Sequence, residues 1–395
     1  MAQTRPNMRF LAQEIDELKA KGLYHPLRVV GTANEAVFTV DGQRVINLSS
    51  NNYLGLTTHP RLIEAAVAAT REFGVGSGAV RTIAGTMGIH QELEERLAAF
   101  KGTEASLTFQ SGFTANVGVL QSVLHEEDVV ISDQLNHASI IDGIRLTRAQ
   151  RKIFPHKDMD GLEQALKETQ SARVRLVVTD GVFSMDGDIA PLPQIVDLAE
   201  RYNAVVMVDD AHASGVLGKN GRGSVSHFGL EGRVQIQVGT LSKAIGSVGG
   251  YVAGEQVLRD FLIHMARPFL FSTSQPPSVA ATCIAAIDVL EQEPQLIDRL
   301  WQNARFLKEQ LQQLGFNTGR SETPITPIIV GDADTAMNLS NTLFERGVFA
   351  QGIGFPTVPH GQARLRTIVS AAHTQEQLQQ AVDIIARTGK ELGVI

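Results

Sequence analysis

Cysteine is almost missing: Cys283 is the only one in 395 residues. A single thiol excludes an intrachain disulfide, a thiolate cluster and a zinc finger, and it suits a reducing cytosol. No apolar run approaches membrane-spanning length, so no membrane association is expected. The opening residues, Met1-Ala2-Gln3-Thr4-Arg5-Pro6, hold no apolar core, so a signal peptide is not expected either. Low-complexity tracts and repeats of fixed period are also missing. Positive charge is outnumbered, with 35 Lys and Arg against 42 Asp and Glu, a net charge of -7. That balance disfavours a nucleic-acid binder and leaves room for a local basic pocket. Apolar residues make up 43% and charged residues 19%, as in a globular chain. The length allows one large domain and a smaller one.

The pattern divides into an N-terminal helix and hairpin segment at 1–50, a large domain at 51–285 and a C-terminal small domain at 286–395. Apolar residues at helical spacing over 10–21 predict a helix ended by residues 22–26. Two short apolar runs around Asp41-Gly42 predict a hairpin. Residues 49–56 are polar and turn-rich; Asn51 and Asn52 there either cap the loop or orient a polar substrate. Gly74-Val75-Gly76-Ser77-Gly78 superficially matches a dinucleotide loop. No apolar strand precedes it and the spacing fails, so a loop lining a cleft is the better reading.

From about residue 104 strands alternate with helices. The strands fall at 105–109, 128–132, 152–154, 175–179, 204–208, 234–238 and 250–253, with helices at 114–124, 139–148, 159–168 and 192–202 among them. This predicts an α/β fold with a mainly parallel seven-stranded sheet between helices. After about residue 285, helices at 300–314, 335–345 and 374–389 mix with strands at 325–330, 348–350 and 364–369 and a loop at 351–359. That mixture predicts a smaller α+β unit.

In such a sheet, ligands bind beyond the carboxyl ends of the strands. Those ends carry Ser111-Gly112-Phe113, Asp133 to His137, the run from Asp180 to Gly187, Asp209 to His212, and Gly239-Thr240-Leu241-Ser242-Lys243. Lys243 presents an amine to which an aldehyde cofactor can attach, or a surface charge. Asp209 ends an apolar strand and needs a cation, such as a protonated pyridine nitrogen; a helix cap or ion pair is the alternative. His212, with Ser184, can bond a ring oxygen, and His137 can stack on the ring; each is equally a structural histidine. Ser111, Gly112 and Phe113 open a helix whose amides suit a phosphate, and Thr240 can add a hydroxyl. Arg366 can grip a carboxylate through forked hydrogen bonds. Arg28 is a weaker candidate for an anionic group, and a solvated surface charge is its better reading. Neither histidine has metal-ligand spacing, and no metal is expected.

Five runs carry a family resemblance: Ser50-Asn51-Asn52-Tyr53-Leu54-Gly55-Leu56, Asn136-His137-Ala138-Ser139, Asp180 to Gly187, Val208-Asp209-Asp210-Ala211-His212 and Gly239 to Lys243. In this order they resemble the α-oxoamine synthases, enzymes of the class II aminotransferase family with fold type I. The resemblance implies pyridoxal 5'-phosphate as cofactor. It implies that Lys243 holds its aldehyde, Asp209 its ring nitrogen, and His212 with Ser184 its ring oxygen. His137 stacks on the ring. Thr240 and the amides of Gly112 and Phe113 take the phosphate, while Asn52 and Arg366 take the substrate carboxylate. It further implies a cytoplasmic homodimer in which Ser272 and Thr273 reach the partner's phosphate.

The reaction implied is a Claisen condensation of glycine or alanine with an acyl-CoA, releasing CoA. Segments 21–24, 78–82, 266–271 and 392–395 lean towards glycine C-acetyltransferase. Gly76-Ser77-Gly78, Thr357-Val358-Pro359 and Arg364-Leu365-Arg366 fit 8-amino-7-oxononanoate synthase, or an enzyme doing both. A non-catalytic partner subunit is the reading from another class, and the presence of Lys243 argues against it.

Overall fold

The computed structural model describes residues 8–20, 24 and 27–395. A helix occupies Arg9–Ala20; the stop expected at 22–26 lies, apart from Tyr24, outside the described residues. The hairpin forms from Val37–Val40 and Gln43–Asn47, paired antiparallel. Asp41 and Gly42 both adopt positive φ, at 49° and 81°. That is the turn whose twist matches the paired strands, and Gly at its second position reaches it without strain.

Seven strands make the central sheet. In spatial order they are Ala105–Phe109, Gly250–Gly254, Ile236–Thr240, Val205–Asp209, Arg175–Asp180, Val129–Asp133 and Gln150–Phe154. All neighbouring pairs are parallel except the two made by Gly250–Gly254. Both faces are covered, and the alternation within single strands shows it. Val206 and Val208 join one apolar cluster with Ile195 and Leu162; Met207 joins another with Leu120 and Ile140. Burying each such side chain contributes roughly 1.5–3 kcal/mol. The α/β, mainly parallel seven-stranded fold is therefore as expected, with strand ends shifted by one or two residues.

Register places the chemistry. Asp180 and Asp209 are direct partners on adjacent parallel strands, both at the carboxyl end. The next strand over ends in Thr240 and leads straight to Lys243.

Two smaller sheets lie beyond. Ile325–Gly331, Ala363–Ile368 and Gln351–Ile353 form one, with the second strand in the middle. Residues 351–353 were expected to lie in a loop. They form a strand because they pair with Arg364 to Arg366, a tertiary contact that a glycine-rich sequence of three residues does not announce. The other sheet joins the N-terminal hairpin to Val348–Phe349. One apolar cluster runs from Ile46 through Leu93 and Ile287 to Ile385, and the Pro277–Gln292 helix passes unbroken through 285–286. Among the described residues no helix is long and apolar enough to cross a membrane.

Candidate active site

At the carboxyl edge of the sheet lies a cavity of about 220 Å³. Ser111, Gly112, Phe113, His137, Ser184, Asp209, His212, Thr240 and Lys243 line it, so nine of the residues singled out above meet at one place. Among the described residues no group of three His, Cys, Asp or Glu side chains is disposed to hold a metal ion.

One end of the cavity is built for an anion. Gly112 begins a helix that runs to Val123. The amides of its first turn have no partner within the helix. Ser111 Oγ satisfies the amide of Thr114, leaving those of Gly112 and Phe113 for a ligand. Side chains are kept out of this corner. A Cβ on Gly112 would lie 3.1 Å from Thr240 Cβ, and one on Gly250 would lie 2.5 Å from the Gly112 nitrogen.

The other end is built around a carboxylate. Asp209 is buried, and each of its oxygens accepts one hydrogen bond: Oδ2 from Asn116 Nδ2 at 2.6 Å, and Oδ1 from the Ala211 amide at 2.8 Å. Asn116 gives its second hydrogen to Ser139 Oγ at 2.9 Å, and Ser139 Oγ also meets His137 Nδ1 at 2.8 Å. One amide therefore ties the carboxylate to the histidine expected to stack on the cofactor ring.

Charge in the cavity follows burial. The Lys243 amine is pushed down by burial and by Arg366, against the pull of Asp209 and Asp180. Among the described residues it has no hydrogen-bond or ion-pair partner. A lowered pKa and the lack of a partner both favour the neutral amine to which an aldehyde attaches. The carboxyl of Asp180 is raised well above the usual range by burial and by neighbouring Asp209. His137 is lowered, chiefly by burial.

Burial also holds His212 well below its ordinary value, with Lys243, Arg366 and His137 adding to the effect, so its ring is neutral. Its Nδ1 lies 2.7 Å from the hydroxyl of buried Tyr53. That hydroxyl has no other partner among the described residues, so it donates to Nδ1 and leaves Nε2–H to face the cavity.

The remaining candidates lie outside the cavity lining. Arg366 is half-buried beside it and donates to Asn51 Oδ1 at 2.6 Å. Asn52 is buried, with Nδ2 donating to Asn34 O and Thr57 Oγ1; its Oδ1 is left without a partner. The atom on offer is thus an acceptor, which suits an N–H or O–H rather than the carboxylate expected above. Ser272 and Thr273 are not in this chain's cavity; Thr273 forms a bridge with Val80. Arg28 is not brought to the site. It pairs with Asp41 at 3.1 Å and lies 3.9 Å over the Phe344 ring.

Asn116, Ser139, Asp180, Ser242 and Tyr53 were not singled out from the sequence. All but Asn116 sit inside or beside the quoted runs. The signal for Asn116 was a lone amide on the buried face of an otherwise apolar and small-residue helix.

The donor set fits pyridoxal phosphate: free helix amides and hydroxyls at one end, a buried carboxylate at the other, and in the same cavity an unpartnered lysine of lowered pKa.

Comparison with known proteins agrees. Residues 43–385 match the family model for aminotransferase class I and II. The chain is 61% identical over 387 residues to the 8-amino-7-oxononanoate synthase of Symbiobacterium thermophilum, covering 98% of this chain and 99% of that protein. It is 60% identical over 386 residues to 8-amino-7-oxononanoate synthase 1 of Bacillus velezensis, again with 98% and 99% coverage. A variant of serine palmitoyltransferase from S. paucimobilis, solved with a bound PLP–myriocin aldimine, superposes with a TM-score of 0.93. It is 34% identical and covers 98% of both chains.

The leaning towards glycine C-acetyltransferase is not supported, since the relatives near 60% identity carry the other name. Of the segments behind that leaning, residues 21–23 lie outside the described residues, and the segments at 78–82, 266–271 and 392–395 have structural duties here. Arg81 is engaged in a buried ion pair with Glu94, Phe269 packs under the sheet, and Val394 and Ile395 pack against the main core. Fold, cavity and relatives together place the chain in the aminotransferase class I and II family, in its α-oxoamine synthase branch, as a pyridoxal-phosphate-dependent acyltransferase.

Proposed function

We propose that this chain is an 8-amino-7-oxononanoate synthase, joining L-alanine to a pimeloyl thioester of coenzyme A or acyl carrier protein. The observation that carries the reading is 61% identity across nearly the whole of both chains. A carbon–carbon bond forms between the alanine Cα and the thioester carbonyl carbon. The thiolate leaves and takes a proton, and CO2 is lost from the β-keto acid.

Pyridoxal phosphate, when bound, supplies an electron-poor ring that takes up the charge left at the alanine Cα. The Gly112 and Phe113 amides and the Ser111 and Thr240 hydroxyls would hold its phosphate. Asp209 would serve its ring nitrogen, His137 its ring face, and His212 with Ser184 its ring oxygen. Lys243 would hold its aldehyde. The Lys243 amine, when free, would take the α-proton at Nζ, a role suited to its lowered pKa. Arg366 holds the alanine carboxylate and so orients the Cα–H bond.

The same reading covers assembly. Ser272 and Thr273 serve the phosphate of a partner copy in a homodimer. In support, Phe271 beside them is 70% exposed and borders a groove shared with Leu146 and Met265.

The test is CoA release from glycine or L-alanine with acetyl-CoA or pimeloyl-CoA. L-Alanine with pimeloyl-CoA should give the highest kcat/KM, at least tenfold above glycine with acetyl-CoA. The reverse order would return the assignment to glycine C-acetyltransferase.

A further inference from the structure

His156 follows the Gln150–Phe154 strand and lies outside the cavity. Its imidazole joins two buried carboxylates: Nδ1 is 2.9 Å from Asp133 Oδ1, and Nε2 is 2.9 Å from Asp188 Oδ2. A neutral imidazole has one N–H and would set its other nitrogen lone pair against a carboxylate oxygen. Two acceptors facing two ring nitrogens require the doubly protonated ring. The ring also stands edge-on to Phe183, with centroids 4.4 Å apart at 83°.

Each carboxylate governs a turn that carries a cavity residue. Asp133 accepts the amides of Leu135 at 2.9 Å and Lys157 at 3.0 Å, and so shapes the turn that delivers His137. Asp188 closes the loop that holds Ser184, its carbonyl accepting the Phe183 amide at 3.0 Å. The side chain of Asp188 is held through Oδ2 alone, by His156 and by Lys157 Nζ at 3.1 Å, because its Oδ1 is buried without a partner. Glu322, 3.4 Å from Lys157 Nζ, is the remaining charged group of the cluster.

We propose that His156 is a positioning residue: bonded at once to Asp133 and Asp188, it sets the turn carrying His137 and the loop carrying Ser184 in the relative placement that the cofactor ring needs. It touches neither cofactor nor substrate. Burial opposes its charge, but the hydrogen bonds to Asp133 and Asp188 outweigh burial and lift its pKa to about 9. The inference rests on pyridoxal phosphate lying in the Lys243 cavity, and wild-type cofactor binding reports on that reading separately.

The experiment compares full-length wild type, His156→Phe, His156→Gln and Asp128→Asn. Asp128 is the control: it lies at the opposite end of the Asp133 strand, in an ion pair with Arg173 at 2.6 Å. Pyridoxal phosphate affinity is measured by absorbance titration, melting of the cofactor-free proteins is followed in parallel, and kcat and KM are measured separately. His156→Phe should weaken cofactor binding and lower kcat at least tenfold, with KM for the amino acid within twofold. His156→Gln, which keeps a donor, should recover at least threefold of that loss. Asp128→Asn should lower the melting temperature and leave cofactor affinity unchanged. Wild-type affinity and kcat in His156→Phe would overturn the proposal, as would an equal loss of affinity in Asp128→Asn. If His156→Phe does not fold, His156→Gln decides: cofactor binding weakened threefold or more supports the proposal, and unchanged binding overturns it.

Discussion

Tyr53 Oη and His212 Nδ1 meet at 2.7 Å across 159 residues of sequence, and the two rings stand nearly perpendicular at 87°. The phenol, pushed up by burial, stays protonated and fixes which imidazole nitrogen keeps its hydrogen. Tyr53→Phe leaves Nδ1 buried without a donor, which costs about 1–3 kcal/mol. It also frees the ring to adopt the wrong tautomer. Urea unfolding should show the loss of stability, and CoA release should slow about tenfold, equivalent to about 1.4 kcal/mol in the barrier. Wild-type values in both assays would show that the contact does not set the tautomer.

Lys243→Ala removes the amine while leaving the cavity walls in place. The purified variant should lack the visible absorption of lysine-bound pyridoxal phosphate. Its CoA release should fall by at least about 10²-fold, the low end for losing a proton-transfer group. A variant that still turns over would refute the role of this lysine.

Asn116 connects Asp209, Ser139 and, through Ser139, His137. Hydrogen bonds to a charged group are worth about 1.5–3 kcal/mol. Asn116→Ala should therefore lower kcat by roughly tenfold to a hundredfold. KM for the amino acid should change little, because Arg366, the proposed carboxylate grip, is untouched. A rise in KM with unchanged kcat would place Asn116 in substrate binding instead.

Arg81 and Glu94 form a forked, buried ion pair at 2.8 and 3.1 Å, and the Thr108 amide donates to the same carboxylate at 3.0 Å. Breaking such a pair strands a buried charge, at about 3–5 kcal/mol. Arg81→Met should lose about that much in a denaturant titration. A loss below about 1 kcal/mol would mean that Arg259, 3.5 Å from Glu94 Oε2, takes over the charge.

For His156 the sign of the pH dependence is fixed by a folded pKa of about 9 against an ordinary 6.5. A raised value stabilises the fold fully below about 6.5, and the contribution is lost as pH rises through about 9. The span corresponds to on the order of 3 kcal/mol. The unfolding free-energy difference between wild type and His156→Gln should be large at pH 6 and shrink by pH 10. A difference that stays constant with pH would show that the ring titrates alike in both states.

Strand-end chemistry was legible because polar residues after apolar runs have few other places to go in a parallel sheet. Lys243, Asp209, His137 and His212 were all marked this way, and all four reach one cavity. What escaped the sequence depends on contacts between distant parts. The Pro277–Gln292 helix is apolar on most sides, so no amphipathic period marks it. Gln351–Ile353 is a strand only by virtue of its partner. The free acceptor of Asn52 emerges only once Asn34 and Thr57 take both of its hydrogens. The partner of Arg28 was hidden for a similar reason: its counter-charge, Asp41, sits on a hairpin turn that the sequence shows without showing what it faces.

Arg366 and Asn51 touch although 315 residues separate them. Every strand that contributes to the cavity leaves the ribosome before residue 366 does. A growing chain therefore holds every lining residue before residue 366 is added, yet the core that seats them is finished only later, since Leu241 and Ala244 share one apolar cluster with Leu378, Val382 and Ile385. Synthesis of the final helix thus decides when the pocket can set, although that helix lends it no side chain.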